Sequence, residues 1–336
     1  MLRKTVSGLV ILALFILLAA TGLFVREYGA PGPGGTRKVL FEIKPGQSIR
    51  ATAENLRSEK MIRSSWAFLA GYRLFHSGKK LKAGEYELSL PLTIKKVLAV
   101  LLEGKVYLHS LTVPEGLTAR EVDELIREAA FPLKGSFLTA CGDPGPIASR
   151  DSRAKDLEGY LFPETYHFPK GVPALTVAAT MVEQFKKIFG EAEMRRAAEL
   201  RMSVRDVVTL ASLIEKETSI PREKPLVSAV FHNRLRMGMK LDCDPTVIYA
   251  LKMDNLYRGR LLTKDLKYPS PYNTYVSPGL PPGPICSPGE GSLAAALHPA
   301  QEDYVYFVAS DDGSHRFSRG YAEHLRAVKK YHWKSR

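Results

Sequence analysis

The stretch SVRDVVTLASLIEKETS, residues 203–219, decides the fold, because it predicts a helix that is apolar on nearly every side. Ser203 and Asp206 have the spacing of a capping pair at its start. A helix without a polar face is stable only when protein surrounds it, so we expect this one to be buried. Its polar end carries two carboxylates, Glu215 and Glu217.

The two glutamates cannot face the same cleft, since two positions correspond to about 200° around a helix. The face that leads to Glu215 consists of small and apolar residues, namely Val208, Ala211 and Ser212. A carboxyl group beside apolar surface has a raised pKa, which suits a general acid near neutral pH. Glu217 is expected to be solvated or paired with a neighbouring basic residue. Taken alone, the pattern also fits an ordinary surface glutamate at a helix end.

Three further segments carry candidate ligand contacts. In LEGYLFPETYHFPKG, residues 157–171, aromatic rings stand beside carboxylates, which suits a sugar with apolar C–H faces and polar edges. The same composition fits an ordinary strand and turn with aromatic core residues. In residues 230–251 and 270–299, amides, hydroxyls and carboxylates could bind a polar ligand or cap local structure.

Neither a metal nor another cofactor is expected. His232, Asp242 and Asp244 do not have the spacing of a known metal motif. The chain has no glycine-rich phosphate loop, no dinucleotide fingerprint and no nucleophile elbow. Its three cysteines include no CxxC pair, which argues against a thiolate zinc site and a dense disulfide framework.

The first segment determines the compartment. Residues 7–25 form an uncharged apolar run that spans roughly 28 Å as a helix, close to the thickness of a bilayer core. We expect a signal anchor that leaves residues 1–6 in the cytoplasm and exports the rest of the chain. The alternative is a signal peptide cleaved near Ala20-Thr21-Gly22. The apolar run continues beyond this site to Val25, which argues against cleavage.

Composition describes a globular protein with an excess of basic residues. The chain has 336 residues, and 48 Lys and Arg against 35 Asp and Glu give a net charge of +13. The charge favours an anionic partner, such as a lipid headgroup surface or an acidic cell-wall polymer, although solvated surface charge explains it equally well. No nucleic-acid-binding module is recognisable, so no nucleic-acid partner is expected.

The exported part predicts an α+β protein. A glycine- and proline-rich linker covers residues 26–37, and short strands and helices follow in residues 38–108 as a small module. A connecting βα unit, residues 109–150, opens the region 109–336. Helices are predicted at 173–189, 191–200, 203–218, 224–237 and 291–298, and a strand at 304–310.

Several motifs in this order resemble the endolytic murein transglycosylase (MltG, YceG-like) family, over about residues 38–332. They are LEGYLFPETY, LASLIEKET, VFHNRLRMGMKLDCDPTVIYAL, SPYNTYVSPGLPPGPICSPG and HPAQEDYVYFVASDDGSHRFS. The resemblance implies a LysM-like module at 38–108, a mixed α/β catalytic domain at 109–336, and a catalytic role for Glu215. His232 and Cys243 depart slightly from the family pattern, outside the catalytic motif.

The resemblance also implies a reaction. One carboxyl group would cleave the β-1,4 bond between N-acetylmuramic acid and N-acetylglucosamine without the use of water. The product would carry a 1,6-anhydromuramoyl end. Such cleavage would terminate or trim nascent glycan strands. Two alternatives stay open. One is a hydrolytic muramidase that pairs Glu215 with a second acid, for which the candidates are Glu164, Asp242 and Asp244. The other is a non-catalytic wall-binding scaffold.

The expected partners are peptidoglycan glycan strands as substrate, the membrane through one N-terminal helix, and peptidoglycan synthases. The expected location is the bacterial inner membrane, crossed once, with the catalytic domain on the extracytoplasmic side. The candidate substrate-binding residues are Glu158, Tyr160, Glu164, Ser212, Asn233, Asp244, Asn273 and Tyr275.

Overall fold

A computed structural model describes residues 2–332 of the chain. They fold into two compact units. The first contains the chain up to His109 together with His167–Lys170, and the second contains Ser110–Tyr166 and the chain from Gly171 onward. The observed mixture of helices and short strands agrees with the predicted mixed α/β class.

The chain begins with one long apolar helix, α1 (Leu2–Gly29). Val6–Gly29 is long and apolar enough to cross a membrane, with a mean hydropathy of 2.8. Membrane anchors and signal sequences share these properties. The helix agrees with the predicted membrane segment, and its retention in the mature chain stays a prediction.

The first unit packs helices on one antiparallel strand pair. Strand β1 (Arg37–Ile43) pairs with β2 (Gly84–Leu90), with Arg37 opposite Leu90 and Ile43 opposite Gly84. The helices of this unit after α1 are α2 (Ile49–Ser58), α3 (Ser65–Phe75) and α4 (Ile94–Glu103). Each of these three helices starts with a Ser or Thr hydroxyl that accepts a backbone N–H. Their apolar faces meet the strands in one core, which includes Phe41, Leu56, Phe68, Tyr86 and Leu98.

The second unit is mainly helical. Its helices are α5 (Ala119–Glu128), α6 (Phe137–Cys141), α7 (Ala174–Ile188), α8 (Glu191–Glu199), α9 (Val204–Glu217), α10 (Lys224–Arg236), α11 (Asp244–Met253), α12 (Glu290–Leu297) and α13 (Tyr321–His332). The remaining strands of the chain are β3 (His109–Thr112), β4 (Leu133–Lys134), β5 (Thr165–Phe168), β6 (Val172–Pro173), β7 (Tyr306–Ala309) and β8 (His315–Ser318). They form three two-stranded sheets, β3–β5, β4–β6 and β7–β8.

Helix α9 is the centre of the second unit. All residues from Val207 to Ile214 are buried, and α8, α10, α11 and α12 pack around them. The Ser203 hydroxyl accepts the backbone N–H of Asp206, and the Asp206 carboxylate accepts the backbone N–H of Ser203. The predicted burial and the predicted capping pair are both confirmed.

The other predicted helices of this region are also present, within one or two residues of their expected ends. Helix α11 was not predicted, because residues 230–251 were interpreted only as a source of polar groups. The three cysteines are free and buried.

Truncation inside α9 tests its central position. Leu210 is fully buried on α9, whereas Leu325 on α13 is 40% exposed. We expect Leu210→Ala to reduce the free energy of unfolding by about 2–5 kcal/mol, because it leaves a cavity among four packed helices. The matched change Leu325→Ala should cost less than about 1 kcal/mol. Denaturant titration of both variants measures the difference, and equal losses would contradict the central role of α9.

Candidate functional site

The last turn of α9 carries two carboxylates in different surroundings. Glu215 points to the start of α10 and α12, whereas Glu217 lies beside the residue that precedes α11. The separation of about 200° around the helix axis produces this divergence. The expectation that the two groups do not share one cleft face is therefore confirmed.

Glu215 is held in an ion pair. Its Oε1 lies 3.2 Å from Lys224 Nζ, and both side chains are only 8% exposed. Its Oε2 accepts the backbone N–H of Gly289 at 3.0 Å. The predicted apolar environment of Glu215 is wrong, because an ammonium group from the next helix and a backbone amide fill the space beside its carboxylate.

The ion pair joins three helices. Lys224 begins α10, Gly289 is the N-cap of α12, and Glu215 belongs to the last turn of α9. The carboxylate of Glu115 also lies close to Gly289, at 2.1 Å from the position of an added Cβ. A carboxylate at a helix N-terminus also interacts favourably with the helix dipole. These contacts hold Glu215 at the meeting point of α9, α10 and α12, and its predicted catalytic role stays a prediction.

Glu217 has the environment that was predicted for Glu215. It is partly buried, and desolvation raises the pKa of its carboxyl group to about 7. The negative charge of Asp244 raises this pKa further. A hydrogen bond from the Cys243 thiol lowers it, and so do the charges of His315 and Arg234. The prediction that Glu217 is solvated or paired with an adjacent basic residue is wrong. A carboxyl group with a pKa in this range is suited to act as an acid or as a base near neutral pH.

The Cys243 thiol is a suitable donor to Glu217. Cys243 is 1% exposed, and burial raises the pKa of its thiol well above the usual value. The sulfur therefore keeps its proton and can donate it to the carboxylate. Its backbone N–H donates to Thr274 Oγ1 at 3.0 Å, which fixes the segment before α11.

The positive groups near Glu217 are fixed by the β7–β8 hairpin and α10. His315 Nδ1 lies 2.7 Å from Glu223 Oε2, and the backbone N–H of His315 donates to Glu223 Oε1 at 3.0 Å. Although burial opposes it, these contacts hold the pKa of Glu223 below its usual range. Arg234 donates to the carbonyls of Val305 and Leu241 and pairs with Asp242 at 3.0 Å. Both groups are thus oriented by the fold.

Asp244 and Tyr275, two predicted substrate contacts, lie together at the rim of the site. The Tyr275 hydroxyl donates to Asp244 Oδ1 at 2.6 Å, and Asp244 is exposed. Burial and this hydrogen bond raise the pKa of Tyr275 well above its usual value. Asp244 is also close enough to Glu217 to disfavour its charged form. A polar ligand can therefore reach this pair from solvent beside Glu217.

Four of the predicted substrate contacts make hydrogen bonds within the fold. The Tyr160 hydroxyl donates to Asp151 at 2.7 Å, and the Ser212 hydroxyl accepts the Ile285 N–H at 3.0 Å. The Asn233 amide donates to the carbonyls of Glu302 and Tyr304 at 2.8 Å. The Asn273 amide donates to the carbonyl of Tyr268 at 2.8 Å. All four residues are buried. Their polar atoms already have protein partners, and their predicted contact with substrate stays a prediction.

The remaining two candidates differ from each other. Glu164 is exposed, and its carboxylate accepts the N–H of Thr165 at 3.1 Å. Glu158 lines a cavity of about 500 Å³ and accepts the N–H of Ala119 at 3.2 Å. Burial raises the pKa of Glu158 to about 8, although the Ala119 hydrogen bond opposes it. The raised pKa favours the protonated form of Glu158, which can donate a hydrogen bond to a ligand.

The Glu158 cavity continues towards the end of α9. An adjoining cavity of about 200 Å³ shares Thr118, Glu121, Tyr249 and Lys252 with it. The second cavity reaches Lys216 and Pro245, the chain neighbours of Glu217 and Asp244. The two cavities form a groove that leads from Glu158 to Lys216 in the last turn of α9.

Sequence reasoning missed Cys243, Arg234 and His315 as neighbours of Glu217. The sequence signal for a place of Cys243 near the site was its position between two aspartates. Arg234 and His315 come from α10 and β8, and no local pattern connects these elements with the end of α9.

Replacing Lys224 tests the ion pair of Glu215. Lys224→Met keeps the aliphatic stem and leaves the buried carboxylate unpaired, so we expect a loss of about 2–4 kcal/mol in the free energy of unfolding. Lys186→Met is the control, because the partner Glu183 is 60% exposed and that pair should contribute less than about 1 kcal/mol. Calorimetry compares the two variants, and an unchanged Lys224→Met protein would refute the structural ion pair.

Comparisons with known proteins agree on one family. Residues 41–330 match the sequence model of the YceG-like family. An endolytic murein transglycosylase of Bacillus subtilis (strain 168) is 32% identical over 309 residues, which cover 87% of this chain and 84% of the relative. An endolytic murein transglycosylase of Streptococcus pneumoniae serotype 2 (strain D39) is 27% identical over 357 residues, covering 96% of this chain and 64% of the relative.

A solved structure is similar as well. The crystal structure of a yceG-like protein from Listeria monocytogenes superposes with a TM-score of 0.58 at 34% sequence identity. The match covers 86% of this chain and 98% of that chain.

Proposed function

The chain belongs to the YceG-like family, and we propose from this premise that it is an endolytic murein transglycosylase whose acid–base group is Glu217. Curated relatives that carry this name support the activity, which is that of a lytic transglycosylase. The observation that carries the assignment within the site is the position of Glu217, a carboxyl group with a pKa of about 7 that lies near the exposed Asp244.

The proposed reaction cleaves the β-1,4 bond between N-acetylmuramic acid and N-acetylglucosamine. Protonated Glu217 donates its proton to the glycosidic oxygen, and the bond to C1 of the muramoyl residue breaks. The resulting carboxylate then removes the proton from the C6 hydroxyl of the same sugar, whose oxygen attacks C1. A 1,6-anhydro end forms, and Glu217 is protonated again. The intramolecular hydroxyl competes with water because it is held close to C1.

Glu217 fits these two steps better than Glu215. A group that gives one proton and takes another works best when its pKa lies near the working pH. The carboxylate of Glu215 is occupied by Lys224 and by the N-cap of α12. The sequence favoured Glu215, and the proposal moves the acid two residues along the chain and keeps Glu215 as a positioning residue.

The groove supplies candidate contacts for the glycan strand. The Asp244–Tyr275 pair lies at the exposed rim, where a carboxylate can accept sugar hydroxyls. Neutral Glu158 can donate to the carbonyl of an N-acetyl group, and the ring of Tyr249 offers an apolar surface to a sugar face. The mixture of rings and polar edges is typical of carbohydrate sites, which supports a glycan as the ligand.

Paired glutamine variants test the acid assignment. Glu217→Gln keeps the volume of the side chain and removes its titratable proton, so we expect kcat on purified peptidoglycan to fall at least about 100-fold. In the wild type, activity should decline as the pH rises through about 7, because the acid form of Glu217 is lost there. Glu215→Gln should chiefly lower thermal stability and retain measurable activity with the same alkaline decline.

Circular dichroism provides the folding control for both variants. A folded, fully active Glu217→Gln enzyme would exclude Glu217, and a folded but inactive Glu215→Gln enzyme would return the acid to Glu215.

A hydrolytic muramidase is the second candidate reaction. The exposed carboxylate of Asp244 beside Glu217 favours it, since hydrolytic glycosidases use a second carboxylate. Product analysis separates the reactions, because hydrolysis leaves a reducing end and the proposed reaction leaves an anhydro end.

The first unit is proposed to contain a LysM-like module, residues 38–108, that binds or orients glycan. The order β1–α2–α3–β2 around one antiparallel strand pair supports this proposal. With α1 retained, the protein would be anchored in the cytoplasmic membrane with its catalytic unit outside, where glycan strands and their synthases meet.

Removal of residues 38–108 from the full chain tests the module. We expect weaker sedimentation with sacculi and slower cleavage of long strands, while short soluble strands are cut at the wild-type rate. Unchanged sedimentation and cleavage would reject a glycan-binding role for the module.

A further inference from the structure

One face of α3 is apolar and uncovered. Trp66, Ala70 and Leu74 follow each other at four-residue spacing and therefore form one stripe along the helix. Trp66 is 48% exposed and Leu74 is 68% exposed. Elsewhere on α3, Ala67, Phe68 and Gly71 are buried. The core of the first unit thus uses one face of α3 and leaves the stripe open.

Helix α3 packs against the end of the apolar helix α1. The ring of Phe24 lies 6.3 Å from that of Trp66 and 6.4 Å from that of Phe75. Trp66 and Phe75 lie about 13 Å apart along α3. Between them, an added Cβ on Gly71 would lie 2.3 Å from the ring of Tyr28. Helix α3 therefore packs closely against the part of α1 that carries Phe24 and Tyr28.

This packing places α3 at the depth where the apolar part of α1 ends. Phe24 belongs to the uncharged run that stops at Val25, and Arg26 follows immediately. If α1 spans a bilayer, this position corresponds to the boundary between hydrocarbon and head groups. Tryptophan and other aromatic residues concentrate at this boundary. A helix that packs against α1 there lies next to the membrane surface.

Basic residues accompany the apolar stripe. The segment HSGKKLK, residues 76–82, follows α3 directly, and Lys79, Lys80 and Lys82 are exposed. The Tyr72 hydroxyl donates to the carbonyl of Lys79, which holds this segment against α3. An apolar helix face flanked by lysines is the combination that binds anionic bilayers.

We propose that α3 and the basic segment 76–82 form a membrane-docking surface. In this arrangement Trp66 and Leu74 enter the head-group region, and the three lysines contact anionic lipid head groups. The proposal commits to a lipid surface because α1 brings the bilayer to this face and because the charge beside it is positive. It needs α1 to be retained, and it is independent of the proposed catalytic reaction.

Fluorescence of Trp66 in the full chain tests the docking surface. The chain has two tryptophans, so Trp333→Phe leaves Trp66 as the only one. In vesicles of phosphatidylcholine and phosphatidylglycerol, lipids brominated near the head group should quench Trp66 strongly, and lipids brominated at the chain ends should quench it weakly. Intact mass of the reconstituted chain confirms that α1 is present. Moving the reporter to the other end of the stripe, with Trp66→Phe, Leu74→Trp and Trp333→Phe, should give the same result.

The lysines provide the matched control. Changing Lys79, Lys80 and Lys82 together to Gln should reduce the quenching in anionic vesicles to the level found in neutral vesicles. Complete quenching of Trp66 by aqueous iodide, without quenching by brominated lipid, would overturn the proposal. Shielding of Trp66 that increases with protein concentration in detergent would also overturn it, because it would indicate contact with a second copy of the chain. Cleavage of soluble glycan in the same samples reports on the catalytic proposal separately.

Discussion

The structure of the second unit depends on one constraint, the complete burial of α9. A helix with apolar residues on all sides cannot border water, so α8, α10, α11 and α12 surround it. This packing fixes the rotation of α9 about its axis and hence the direction of each side chain in its last turn. The two terminal carboxylates are therefore delivered to different places by the same helix.

Each carboxylate is matched by the element it meets. Glu215 meets the start of α10 and α12, where Lys224 and the Gly289 amide neutralise it and tie the helices together. Glu217 meets a partly desolvated environment, which raises its pKa to about 7. The thiol of Cys243 is its hydrogen-bond donor there, and Asp244 lies nearby. One glutamate is thus held by contacts with two neighbouring helices, and the other has a pKa near neutral, which fits the proposed proton transfer.

Local patterns predicted the parts of the structure that local interactions determine. The helix periodicities, the Ser203–Asp206 cap and the burial of α9 were all readable from the sequence, because each depends on residues within a few positions. The partner of Glu215 was not readable, since Lys224 reaches it from the next helix. For the same reason Ser212 and Asn273 were expected to bind substrate, although Ile285 and the loop before Asn273 use their polar atoms. Tertiary contacts decide which polar residues of a motif remain available to a ligand.

The central claim is that one carboxyl group, Glu217, cleaves a glycan strand without water. The most direct measurement is mass spectrometry of the ends formed when the wild-type enzyme digests purified peptidoglycan in water enriched in heavy oxygen. The one-carboxylate reaction predicts 1,6-anhydromuramoyl ends that contain no heavy oxygen, because the sugar supplies its own nucleophile. Reducing ends labelled with heavy oxygen would contradict it and would indicate hydrolysis with a second carboxylate.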